Sequence, residues 1–139
     1  MNKMSHNTVS ELPPIDIAGE ELSRLQVLVN SSMGRFPDVS EYLARELERA
    51  RVIQDDREMQ SVVRMGSTVS YRDEKTGEIR EVVLVYPHEA DISIRRISVL
   101  TPVGAALIGL SVGRVIEFQT PDQESRKLTV LQVSQREQA

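Results

Sequence analysis

The chain has 139 residues, 40% of them hydrophobic, with two Phe, three Tyr, no Trp and no Cys. That suffices for one small core with a modest extra element, and it excludes disulfides, thiolate chemistry and Cys-ligated metal sites. The net charge of -4 is uneven: residues 1–63 carry 11 acidic and 7 basic side chains, whereas residues 64–139 carry 10 of each. An acidic front half speaks against nucleic acid as a direct partner and for a basic protein surface.

No apolar run approaches the roughly 20 residues of a membrane span. The start, Met1 to His6, lacks the apolar centre of a signal peptide, so a cytoplasmic location is expected. Residues 1–15 are polar, end in Leu12-Pro13-Pro14 and read as a flexible tail, with Asp16 expected to cap the first helix. From Ala18 to Ser31 the spacing of Leu22, Leu25, Leu28 and Val29 predicts an amphipathic helix. Ser31 to Pro37 is a short connection, after which Val39, Leu43, Leu47 and Ala50 form a second apolar stripe. Two helices of about 14 to 16 residues so closely linked are expected to pack antiparallel, with Glu41–Arg45 and Glu46–Arg49 on the solvent face. Gln54 to Gln60 is charged and nearly without apolar anchors, and reads as a linker.

Strand signals follow. Thr68 to Arg72, the turn Asp73 to Gly77, and Glu78 to Tyr86 form a hairpin. Its second strand contains Val82-Val-Leu-Val-Tyr86 and is expected inside a sheet, under a short helix. Pro87 to Asp91 is a loop and Arg96 to Leu100 a third strand. Thr101 suits a helix N-cap and Pro102 the first helical position. Gly109 then closes the helix after about two turns, and Gly113 turns the chain into the strand Val115 to Phe118. Thr120 to Ser125 is a turn and Arg126 to Ser134 the last strand. The predicted fold class is α+β: a short N-terminal antiparallel helical hairpin, then a mostly antiparallel five-stranded sheet with one short helix. The units are 16–62, hairpin and linker, and 63–139.

The string Ile97-Ser-Val-Leu-Thr-Pro-Val-Gly-Ala-Ala-Leu-Ile-Gly109 resembles the C-terminal domain of the bacterial Gre transcript-cleavage factors, where a strand precedes Ser-Pro and an Ala-Leu-hydrophobic-Gly helix. With Leu84-Val-Tyr-Pro87 and the helical pair it looks, over residues 16 to 135, like the regulator of nucleoside diphosphate kinase family. The resemblance implies an FKBP-like C-terminal domain and an N-terminal coiled coil shorter than that of the Gre factors. It also implies binding to RNA polymerase near its secondary channel, with Leu100, Thr101 and Pro102 as the contact. One departure is Arg114, where the family usually carries Asp after the glycine turn.

At the hairpin tip, Asp38 and Glu41 have the acid-x-x-acid spacing with which Gre factors present carboxylates to a catalytic magnesium. The same pair is what a helix N-terminus prefers electrostatically. Helices of about 20 to 24 Å are also shorter than the resemblance implies for cleavage factors. The capping role is therefore expected, and with it a monomeric transcription regulator without catalysis, cofactor or metal, competing with Gre-type factors. Two alternatives stay open: direct regulation of a nucleoside diphosphate kinase, as the family name suggests, and prolyl isomerisation, suggested only by the fold. Against the latter, Tyr71, Tyr86 and Phe118 read as core or surface residues of strands. His88 is a lone loop histidine, and Arg95-Arg96, too few for nucleic acid, read as an edge-strand or interface feature.

Overall fold

The computed structural model describes residues 13–120 and 122–135. The tail expected over residues 1–15 lies outside them as far as residue 12, and so does His6. Strand β1 (Asp16–Ala18) leads into helix α1 (Gly19–Ser32); helix α2 (Pro37–Glu48) returns into strand β2 (Arg51–Ile53), which pairs with β1 in parallel. After a 3-10 turn at Asp56–Met59 come β3 (Thr68–Asp73), β4 (Ile79–Val85), β5 (Arg96–Ser98), the short helix α3 (Pro102–Leu107), β6 (Val115–Gln119) and β7 (Ser125–Ser134). The five-stranded sheet has the order β5-β4-β3-β7-β6. All its pairings are antiparallel except β4 with β5. The expected α+β class, helical hairpin and sheet are therefore present, with β4 inside the sheet and β5 at its edge. Among the described residues no helix is long and apolar enough to cross a membrane.

One apolar core runs through the chain. Val69 and Tyr71 of β3, Val82 and Leu84 of β4, Ile116 and Phe118 of β6, and Leu128 and Val130 of β7 form its sheet side. Ala105, Ala106 and Leu107 of α3 join it, as do Leu25 and Val29 of α1 and Leu43 and Leu47 of α2. Of the stripes predicted from periodicity, Leu25, Val29, Leu43 and Leu47 are buried, and Leu22, Leu28, Val39 and Ala50 are partly buried against the same core. The apolar faces of both helices are thus removed from water by the rest of the fold, which offsets the marginal stability of helices this short.

The base of the hairpin differs from the sequence reading in four places. Asp16 does not cap α1: Ala18 holds that position without a side-chain bond, while Asp16 lies in β1 and its carboxylate accepts two hydrogen bonds of 3.2 Å from Arg51. Helix α2 is 12 residues long because the chain leaves it after Glu48 to run beside β1. Glu46 is buried rather than on the solvent face. Arg49 donates to it at 2.6 Å and also to the Pro13 carbonyl at 2.7 Å, tying α2 to the segment before β1. The supposed linker is structured too, since the Asp55 carboxylate caps the 3-10 turn and Met59 is fully buried with Ala18, Ile53 and Val62.

Two polar groups lock this base to the sheet. The half-buried Arg64 guanidinium lies 3.0 Å from Glu20, 3.5 Å from Glu21 and 3.5 Å from Asp56, joining α1, the 3-10 turn and the approach to β3. Burial pushes the Glu21 carboxyl above its ordinary value, with Arg64 opposing the shift. At the chain's other end the Gln135 amide nitrogen donates to the carbonyls of Met59, Gln60 and Val62, and its oxygen accepts from Ser67 Oγ at 2.7 Å. One side chain thereby gathers three carbonyls of the loop that leads to β3.

Candidate docking site at the Thr101 corner

The turn from β5 into α3 is built by short-range bonds. Thr101 adopts an extended backbone, and its Oγ1 accepts from the Gly104 amide at 3.1 Å while donating to the Ser98 carbonyl at 2.7 Å. Pro102 then starts the helix with no amide hydrogen left over. Helix α3 ends at Gly109, which has φ +84°. A Cβ there would also stand 2.8 Å from Ile15 Cβ, because the segment entering β1 crosses this point and Asp16 donates its amide to the Gly109 carbonyl. Gly109 is thus fixed both by its backbone and by the hairpin base. Gly104 was not singled out by the sequence, yet a Cβ on it would sit 2.2 Å from the Ser98 carbonyl oxygen. This glycine lets the helix lie directly on the strand end.

The three predicted contact residues are not equivalent. Leu100 is 9% exposed and belongs to the core. Thr101 and Pro102 are half-buried and form the surface of the corner. Pro102 stands as a ridge between two clefts. The larger, of about 770 Å³, has Tyr71, Val82 and Ile97 among its lining residues, with Ile79, Ile92, Arg95 and Val103 also around it. Ile79 is 61% and Ile92 81% exposed, an unusual display of large apolar side chains beside a groove. Arg95 is held at φ 62° after the 3-10 turn Ile92–Ile94 and forms no ion pair among the described residues, whereas Arg80 and Arg126 in the same cleft are paired to Glu78 and Asp73. This isoleucine rim was missed in the sequence. Its signal was present in Asp91-Ile-Ser-Ile-Arg95, where two β-branched side chains stand in a polar loop with no strand to bury them.

The smaller cleft, of about 360 Å³, lies on the other side of Pro102, between the first turn of α2 and the end of β6. Asp38, Val39 and Tyr42 line it from the hairpin, and Phe118, Gln119, Thr120 and Gln123 from the sheet. The predicted hairpin-tip acids separate here. Asp38 is exposed at the cleft, while the Glu41 carboxylate is held by Arg45 of its own helix at 3.3 Å. Among the described residues no three His, Asp or Glu side chains gather as a metal site. Burial raises the Tyr42 phenol well above its ordinary value, assisted by Glu46, and its hydroxyl has no hydrogen-bond partner among the described residues. His88 is exposed and stacks on Tyr86, whose ring also carries the Arg24 guanidinium 4.7 Å from its centre. Tyr71 and Phe118 are buried core residues. Arg114 is exposed in the turn after Gly113.

A helical hairpin packed on a five-stranded sheet, with a proline-started helix at an exposed corner, defines a class. Residues 58–135 match the family model described as transcription elongation factor GreA/GreB, C-terminal, and the chain belongs to this family. Within it, the chain is 33% identical over 127 residues to a protein named regulator of nucleoside diphosphate kinase from Escherichia coli K12, a match covering 91% of this chain and 93% of that protein. It is 32% identical to the transcription elongation factor GreA of Syntrophobacter fumaroxidans, across 93% of this chain and 75% of that one. Among solved structures, a GreA/GreB elongation factor from Nitrosomonas europaea matches with a TM-score of 0.69 and 36% identity, covering 88% of this chain and 98% of that one. These relatives are named as regulators or elongation factors, and the chain is a regulator of the Gre family.

Proposed function

We propose that this chain is a non-catalytic transcription regulator that docks on RNA polymerase near the secondary channel, competing with Gre-type factors without stimulating transcript cleavage. In this reading residues 63–139 are the docking domain and residues 16–62 the hairpin, and the protein works as a cytoplasmic monomer. The observation that carries it is the Thr101–Pro102 corner. It lies inside the segment matching the Gre C-terminal model and borders a groove whose exposed Ile79 and Ile92 have no partner within the described chain. A groove edged by exposed isoleucines and lined in part by charged side chains suits a protein surface that offers both apolar anchors and polar partners.

Absence of cleavage rests on reach and on chemistry. Helices of 14 and 12 residues extend only about 21 and 18 Å. The Asp38 and Glu41 carboxylates have different surroundings, one bordering a cleft and the other beside Arg45. Shared ligation of magnesium needs converging oxygens, and Glu41 would have to leave Arg45 to supply one.

Competition titration against a Gre factor on core polymerase tests the reading. Pro102→Arg is expected to weaken binding about tenfold, the effect of losing roughly 1.4 kcal/mol, with the fold intact. Unchanged affinity would remove the corner as the contact. Endonucleolytic products from stalled elongation complexes, dependent on Asp38 and Glu41, would overturn the non-catalytic part. A second reading, contact with a nucleoside diphosphate kinase, is favoured by the name of the Escherichia coli relative. Parallel pull-downs on purified kinase and core polymerase separate the two.

A further inference from the structure

We infer that the smaller cleft beside Pro102 is a socket for a basic side chain, an arginine or lysine, projecting from the surface on which the corner docks. The inference rests on the docking reading and specifies the chemistry of the partner. Asp38 is the one charged residue among those lining this cleft, and it makes no ion pair among the described residues. Most acids elsewhere on the hairpin and its base are engaged: Asp16 by Arg51, Glu20 and Glu21 by Arg64, Glu41 by Arg45 and Glu46 by Arg49. The other lining residues are Val39, Tyr42, Pro102 and Phe118, with Gln119, Thr120 and Gln123 beside them.

A carboxylate among aromatic and apolar lining residues matches the two-part character of Arg and Lys, whose hydrocarbon stem packs while the cationic head is neutralised. The dimensions agree as well, since about 360 Å³ accommodates one long side chain and falls at the low end of small-ligand pockets. An acidic partner residue would meet Asp38 with like charge, and a wholly apolar one would desolvate it without compensation. The socket also has a geometric consequence. Its walls come from both α2 and β6, so a basic side chain seated in it contacts the hairpin and the sheet at once, and docking through Pro102 senses the hairpin's position.

The test is titration of the full chain against core polymerase at low and moderate salt. Asp38→Asn is expected to weaken binding about fivefold and to flatten its salt dependence, and Asp38→Lys to weaken it at least twentyfold. Glu48→Gln, which makes the same charge change at an exposed site on α2, should leave affinity unchanged. Equal losses for Asp38→Asn and Glu48→Gln would reduce the effect to overall charge and overturn the socket. So would wild-type affinity for Asp38→Lys with the Pro102→Arg defect intact, and that result would leave the docking proposal standing. Failure of the wild-type chain to bind polymerase would sink the docking proposal and the socket with it. Far-ultraviolet circular dichroism of each variant separates folding defects from binding defects.

Discussion

The Thr101 corner and the base of the hairpin both join a helix to strands, and they are held in opposite ways. At the corner the stabilising side-chain bonds link residues two or three apart, and closeness is achieved by the missing side chain of Gly104. At the base the bonds that join separate segments reach residues 35 to 76 positions apart and are made by Arg49, Arg51, Arg64 and Gln135. The corner is a steric joint with little freedom to adjust. The base is a polar joint whose strength depends on ionisation. A chain that must present one rigid contact and carry a hairpin beside it uses both.

The sharpest way to break the comparison is Gly104→Ala. Its Cβ would meet the Ser98 backbone oxygen at 2.2 Å, and a loss of about 3 kcal/mol is expected in urea unfolding, since helix and strand must separate. Arg64→Ala attacks the other joint. It leaves the buried Glu21 without its counter-charge, and about 2 kcal/mol should be lost at neutral pH, with early hydrogen exchange in α1 as the local signature. Thr101→Ala removes the cap of α3 and should cost about 1 kcal/mol, while Thr101→Ser retains most of it.

The smallest effect concerns pH. The Glu21 carboxyl is raised above 4.5 in the folded chain, so between 4.5 and its folded value the folded state holds the proton more tightly. Stability from this group is therefore gained as pH falls through that window and lost as pH rises. Asp73 behaves in the opposite sense. The Lys75 amide first, then Arg126 and the Thr76 amide, hold it below 3.8, and its contribution, present above that value, is lost as pH falls through the folded value. Melting temperature against pH for wild type and Glu21→Gln should diverge above pH 4.5 and converge below it. In an Arg64→Ala background the divergence should widen.

Legibility in the sequence follows the same division. Thr101, Pro102 and Gly109 were readable because a cap, a first-turn proline and a closing glycine act within one turn of chain. The helical stripes and the β3–β4 hairpin were readable for the same reason, since their periodicity is local. The base was not. Nothing around Asp16 announces that Arg51 stands opposite it, and an acid before a helical pattern reads as a cap until the parallel pairing of β1 with β2 is known. Glu46 looked like a solvent-face partner because its neighbour Arg49 is three residues away; its burial depends on the Pro13 segment crossing above it. Met59 looked like a lone apolar residue in a charged run, and only the distant Ala18, Ile53 and Val62 make it an anchor. At the candidate site, local reading found Thr101 and Pro102 but could not tell that Leu100 points inward, nor that Ile79 and Ile92, distant in sequence, border one groove.

The parallel pairing of β1 with β2 carries a consequence for how such an arm can vary. The chain enters and leaves the helical pair through two strands held side by side, with Asp16, Ile17 and Ala18 in register with Arg51, Val52 and Ile53. The hairpin therefore has a closed root, and its length is a separate variable. Inserting matched seven-residue blocks into both helices, beyond the turns that pack on the sheet, would carry a new tip outward by about 10 Å per block while the root stays paired. The root acts as a gauge point, and the distance between a fixed docking corner and a moving tip becomes a property that helix length alone can set.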